Sequence, residues 1–208
     1  MANENNVTGW LRQNEYGKQA LETRQTFGII LNFASTSGLP AFFDQKNTVF
    51  FNQTLEDRAA AGYFVHEMHH VRRNKTGLSL QSTSGDKRAY VDDAVQEEID
   101  GTVLQLFFIL SLDYAGLMPA YTMLNDKNSA PMYKDFRDRC TVFFNSGLGE
   151  TGDRSKALEL ERKKAQLLVS MWIDGENRFR GAFHRLGVGV LTYRESYGRT
   201  WEADHRKP

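Results

Sequence analysis

The residues of this chain best suited to chemistry are His66, Glu67 and His70, inside Phe64-Val65-His66-Glu67-Met68-His69-His70. They make the pattern H-E-x-x-H. On an α-helix, side chains four residues apart lie on one face, one turn above the other. Two imidazoles so placed reach a single metal ion. The glutamate between them stands where it takes a proton from a water on that ion. His69 points about 100° around the helix from His70, so it is expected beside the ligand pair or in solvent, not in the ligand set.

The elements around the motif must supply the helix and a third ligand. Thr54-Leu55-Glu56-Asp57 reads as a capping-box-like start. Ala59, Gly62, His66 and His70 then share one face at helical spacing. Phe64, Met68 and Val71 fall on the opposite face and read as core. Small residues ahead of the histidines leave room for a cleft. Arg72, Arg73 and Lys75 end the pattern with cations that favour the helix dipole.

The next helical pattern runs from Lys87 to Leu112 and carries Asp92, Asp93, Glu97, Glu98 and Asp100. Val91, Val95, Thr102 and Ile109 form an apolar stripe with Glu98 in its middle. Asp93, Glu97 and Asp100 fall on a face expected to be wet. A carboxylate centred on a buried stripe is costly unless a cation compensates it. Glu98 is therefore the preferred third ligand, with Glu97, one residue of helix rotation away, as the alternative. Pairing of Glu98 with an arginine is the purely structural reading.

His66-Glu67-Met68-His69-His70, followed on a second helix by Glu97-Glu98-Ile99-Asp100, resembles the zincin metallopeptidases of the glutamate-ligand type. In detail it is most similar to small, uncharacterised bacterial metallopeptidase domains. Their second helix carries Glu-x-Asp, matched here by Glu98-Ile99-Asp100. The resemblance spans residues 45–112. It implies a zincin-like, mostly helical α+β fold, Zn2+ held by His66, His70 and Glu98, Glu67 as general base, and a peptide or protein substrate. In better-known glutamate zincins an acidic residue follows the ligand by four positions. Here Thr102 follows Glu98 and Gly101 follows Glu97, so the choice of third ligand stays open and Asp100 becomes the candidate for orienting a histidine. Zincins commonly stabilise the oxyanion with a downstream Tyr, His or Arg, a role open here to His184, Tyr193 or Tyr197.

Asn47-Thr48-Val49-Phe50-Phe51-Asn52 is short, β-branched and aromatic, and reads as a strand. In zincins the strand before the active helix commonly forms the sheet edge beside the cleft, to which an extended substrate adds; an internal hairpin strand with no substrate role is the equal alternative.

The bounds are broader. A chain of 208 residues suits one domain with a real core. Lysine plus arginine and aspartate plus glutamate each total 26. Zero net charge argues against a general nucleic-acid or membrane-surface binder. With 14 Phe, 8 Tyr and 3 Trp the chain is expected to fold rather than stay disordered. A lone Cys140 excludes an internal disulfide or a cysteine-rich zinc site, and is expected to be buried and inert. The first residues lack a hydrophobic signal core, and Val103–Leu112 is too short to span a bilayer. That run is expected to be the buried end of the second helix. The expected location is the reducing cytoplasm, unless a specialised system exports the chain.

Along the chain, Tyr16–Phe33 reads as a helix, Ser35–Pro40 as a turn and Asn74–Asp86 as a loop joining the two site helices. A short helix is expected between Gly116 and Ser129, then another over Ala130–Phe144. Gly147-Leu148-Gly149 and Thr151-Gly152 read as breaks. Asp153 caps a helix toward Trp172 and on toward Leu186, with Glu159–Lys164 as its solvated face. Two other function classes fit the same residues. Glu67-x-x-His70 is also an E-x-x-H motif and Glu202-x-x-His205 is a second, the pairing used by di-metal carboxylate helical proteins such as oxidases and ferritin-like folds. A helical binding module with a vestigial zincin site is the other.

Overall fold

The computed structural model describes residues 2–36, 39–83, 85–116, 129–174 and 192–205. Within them the chain is mostly helical with one small mixed sheet, an α+β arrangement. Helix α1 spans Glu4–Leu11 and α2 spans Glu15–Phe27. The side chains of Asn3 and Asn14 cap them by accepting from the backbone N–H groups of Asn6 and Gly17. Helix α2 stops at Gly28, whose φ of 63° is left-handed. The expected helix through Phe33 is therefore wrong in its last turn and a half. Past Gly28, Ile30–Ala34 is strand β1. Its β-branched and aromatic residues find a parallel partner in the sheet, and that pairing overrides their helical periodicity.

Strand β2 is Ala41–Phe43 and β3 is Thr48–Asn52, in the order β1-β3-β2. The strand expected from the sequence is present, and of its two placements, edge or internal, it takes the internal one. The short β2, antiparallel to β3, takes the edge. Val49 and Phe51 of β3 are fully buried, and Phe51 stacks on Phe64 with ring centroids 6.3 Å apart. That contact anchors the sheet to helix α3, Asp57–Lys75.

The start of α3 differs from a capping box. Glu56 is its N-cap but its side chain does not cap the helix, and Thr54 donates to Asn52. The Asp57 carboxylate at the first turn accepts from the Asn3 backbone and the Asn6 amide, which ties α1 to α3. Phe64, Met68 and Val71 are buried as expected.

Helix α4, Lys87–Tyr114, lies against α3. Asp86 caps it through Ala89 N–H. Its second half is buried on all sides, from Leu106 through Leu110, which accounts for the apolar run. Helices α5, Ser129–Thr151, and α6, Arg154–Asp174, pack together as a hairpin across Gly152, whose φ is 58°. Helix α5 runs straight through Gly147-Leu148-Gly149, so only the Thr151-Gly152 break forms. Asp153 caps α6 as expected, accepting from Ser155 and Lys156 N–H. Phe136 packs edge-on against Phe107 of α4 and tilted against Trp172 of α6.

Glu159–Lys164 is not uniformly solvated, because Glu161 is buried. Burial raises its carboxyl pKa to about 7. Cys140 is fully buried, and burial followed by the nearby Glu161 pushes its thiol pKa up, so it is inert. The short helix expected before Ser129, the extension toward Leu186 and His184 all lie outside the described residues. Helix α7, Tyr193–His205, packs on the first half of α4 through Arg194–Asp92 and Lys87–Glu202 ion pairs. No helix among the described residues is long and apolar enough to cross a membrane.

Candidate metal centre

Helices α3 and α4 bring their polar residues together where they cross. His66 Nε2 and His70 Nε2 lie 2.9 Å apart. Glu98 Oε2 is 3.3 Å from His66 Nε2, and Glu98 Oε1 is 3.7 Å from His70 Nε2. Three side chains from two helices thus converge on one point. Among the described residues, His66, His70 and Glu98 are the one group of His, Cys, Asp and Glu drawn together closely enough to hold a metal ion.

Each imidazole has its own support. The Nδ1–H of His70 donates to Glu97 Oε1 at 2.7 Å. Glu97 Oε2 in turn accepts from Ser79 Oγ at 2.6 Å and Arg73 Nε at 3.1 Å. Arg73 also holds Asp93. Glu97 was expected on a wet face; it is buried, because the consecutive Glu97 and Glu98 straddle His70, one at each ring nitrogen. The arginine expected as a structural partner of Glu98 binds Glu97 instead. Asp100 orients no histidine, since its carboxylate accepts from Gln96 and Gln166.

His66 is fixed by space rather than by a hydrogen bond. Its Nδ1 is buried without a partner among the described residues. A Cβ added at Gly101 would sit 3.2 Å from its ring. Glycine one turn beyond Glu97 is therefore what lets α4 approach the imidazole. His69 stands outside this group. Its Nε2 is buried and unpartnered, and burial, then the neighbouring His70 and His66, depress its pKa to about 3.

The electrostatics ask for a cation. Burial works against charge on His70, yet Glu98, Glu97 and Glu67 outweigh it and raise its pKa to about 9. Burial opposes charge on Glu98 as well, but His70, His66 and the Tyr197 phenol hold its pKa down at about 2. A site that draws a proton this strongly between two nitrogens and a carboxylate has the field and the donor set that suit a divalent ion of the zinc type. The residues fit such a group.

Glu67 is buried beside this triad and is not part of it. Burial raises its pKa, against the lowering pull of His70 and His66 and of a hydrogen bond from the Phe43 backbone. The sheet explains that last contact. Pro40 O and Asp44 N bond to β3, so the backbone groups of Ala41 and Phe43 face away from it, toward the cleft. The cleft encloses about 550 Å³. Its walls are Leu39–Phe43, the Ser79–Ser82 segment, and Tyr193, Tyr197, Thr200 and Asp204 of α7. Tyr193 and Tyr197, both expected as candidates, line it. Tyr63 and Tyr90, which the sequence did not single out, line it too. Glu202 and His205 stand elsewhere, in the ion pair with Lys87 and stacked on Trp201. No family model, curated protein or solved structure matches the chain.

Proposed function

We propose that the chain is a zinc-dependent metallopeptidase with a zincin-like site. The observation that carries this reading is the convergence of His66 Nε2, His70 Nε2 and the Glu98 carboxylate beside a buried, non-ligating Glu67. When bound, Zn2+ supplies Lewis acidity, which lowers the pKa of water toward neutrality and polarises a carbonyl. Glu67, its own proton affinity raised by burial, accepts the proton of the attacking water and passes it to the leaving amine.

Tyr193 lines the cleft beside Tyr197, whose own hydroxyl is engaged with Glu98. Burial, then Glu98 and Glu67, push the Tyr193 pKa up, so it keeps the proton it donates to the developing oxyanion. The backbone groups of β2 that face away from β3, along a strand that lines the cleft, suit an extended peptide added to the sheet edge. A zincin-like architecture is supported by this edge beside the H-E-x-x-H helix and by the third carboxylate on the next helix.

The test is metal analysis of purified protein by mass spectrometry, with cleavage of a broad peptide library. One zinc per chain is expected, lost together with cleavage in His66→Ala and in His70→Ala. Two irons per chain would move the reading to the di-metal carboxylate class. No metal under any loading condition would leave a helical binding module.

A further inference from the structure

We infer that Tyr197 is a positioning residue that reserves one oxygen of Glu98, so that the carboxylate meets a metal ion through the other oxygen alone. The inference rests on His66, His70 and Glu98 as the ligand set. The Tyr197 phenol donates to Glu98 Oε1 at 2.5 Å. The second oxygen, Oε2, is the one 3.3 Å from His66 Nε2. A carboxylate able to grip with two oxygens is thereby presented with one already engaged.

The phenol is held by a frame rather than by the hydrogen bond alone. Its ring stacks on Tyr193 at 6.4 Å and meets Tyr90 edge-on at 6.2 Å. The next residue, Gly198, is buried, and a Cβ there would touch Lys87 at 3.5 Å, so α7 lies close on α4. Ion pairs from Arg194 to Asp92 and from Lys87 to Glu202 hold that helix at both ends.

Removing the hydroxyl leaves Oε1 in a side chain only 12% exposed and without its donor. An unpaired buried carboxylate oxygen is costly. The nearest compensating charge is the metal ion itself, and the carboxylate closes onto it with both oxygens. The added contact occupies coordination space that a zinc hydrolase keeps for water or substrate. Tyr197 thus keeps the centre open, and it does so from a helix 99 residues beyond the ligand it acts on.

The experiment loads the full chain with Co2+ as wild type, Tyr197→Phe and Tyr90→Phe. It records visible absorption and measures affinity by chelator competition. Tyr197→Phe should keep cobalt affinity within about tenfold while its ligand-field bands lose intensity, the mark of a higher coordination number. Peptide hydrolysis should fall about 10- to 100-fold. Tyr90→Phe, which removes a cleft phenol that does not bond Glu98, should keep the wild-type spectrum. An unchanged Tyr197→Phe spectrum overturns the inference and leaves the ligand set standing. So does a large loss of affinity with unchanged bands, which marks a merely structural support. A wild type that takes up no cobalt overturns the ligand set and this inference with it.

Discussion

Gly101→Ala isolates the packing that aims His66. The added Cβ lies 3.2 Å from His66 Cε1 and Nδ1 and 3.3 Å from Nε2, so the ring must give by a few tenths of an ångström. It has little room, because its Nε2 faces His70 Nε2 at 2.9 Å and Glu98 Oε2 at 3.3 Å. Two effects of opposite sign follow. Alanine in a helix interior stabilises by about 1 kcal/mol relative to glycine, which partly offsets the overpacking cost of about 1–3 kcal/mol. Metal affinity has no such compensation. Displacing a ligand by this much should cost about 10- to 100-fold, comparable to losing the group that orients it. The variant should therefore unfold within about 2 kcal/mol of wild type in urea while losing zinc to a chelator at a much lower concentration. Zinc affinity equal to wild type, with stability raised by the full helix-propensity gain, would show that the helices separate freely. The account of how His66 is held would then fail.

Other changes probe other groups. Glu67→Gln should retain zinc and lose about a hundredfold to ten-thousandfold in hydrolysis; library cleavage undiminished with zinc in place would sink the mechanism. Glu98→Ala should release zinc and Asp93→Ala should not, since Asp93 engages Arg73 and the Leu80 backbone and points to neither histidine; the reverse result in zinc-content measurements removes Glu98 from the ligand set. Glu161 bears on pH. Its pKa rises from 4.5 to about 7 on burial, so the folded state holds its proton more tightly, and this group's share of stability is full below pH 4.5, falls as pH rises to 7 and is flat above. Glu161→Gln should match wild type in urea at pH 4.5 and exceed it by about 2 kcal/mol at pH 8; equal midpoints at both pH values would refute the burial argument.

The sequence made the motif helix legible because helical phase fixes which side chains share a face, and the central β3 was legible from its composition. What it hid depended on partners distant in the chain. Whether Ile30–Ala34 is helix or strand is decided by β3, which follows it. Which strand lies beside the cleft is decided by three residues, Ala41–Phe43, too few to show a period. The buried state of Glu161 reflects packing of α6 against other helices, invisible in a run of charges.

The third candidate ligand shows the limit most clearly. Adjacent residues on a helix diverge by about 100°, which suggests that only one of Glu97 and Glu98 can face the histidines. That inference treats the target as a point. An imidazole has two nitrogens on opposite sides of its ring, and His70 presents both to α4. Two neighbouring carboxylates can then serve one histidine, Glu98 on the side where the ligand atoms converge and Glu97 on the side away from it. The acidic residue expected four positions after the ligand becomes superfluous for that histidine, because Glu97 with Arg73 and Ser79 behind it already orients His70. The position four after Glu97 is then free to be glycine, and Gly101 is what brings α4 close enough to His66. The departure from the zincin pattern and the pair of consecutive glutamates are two sides of one packing solution.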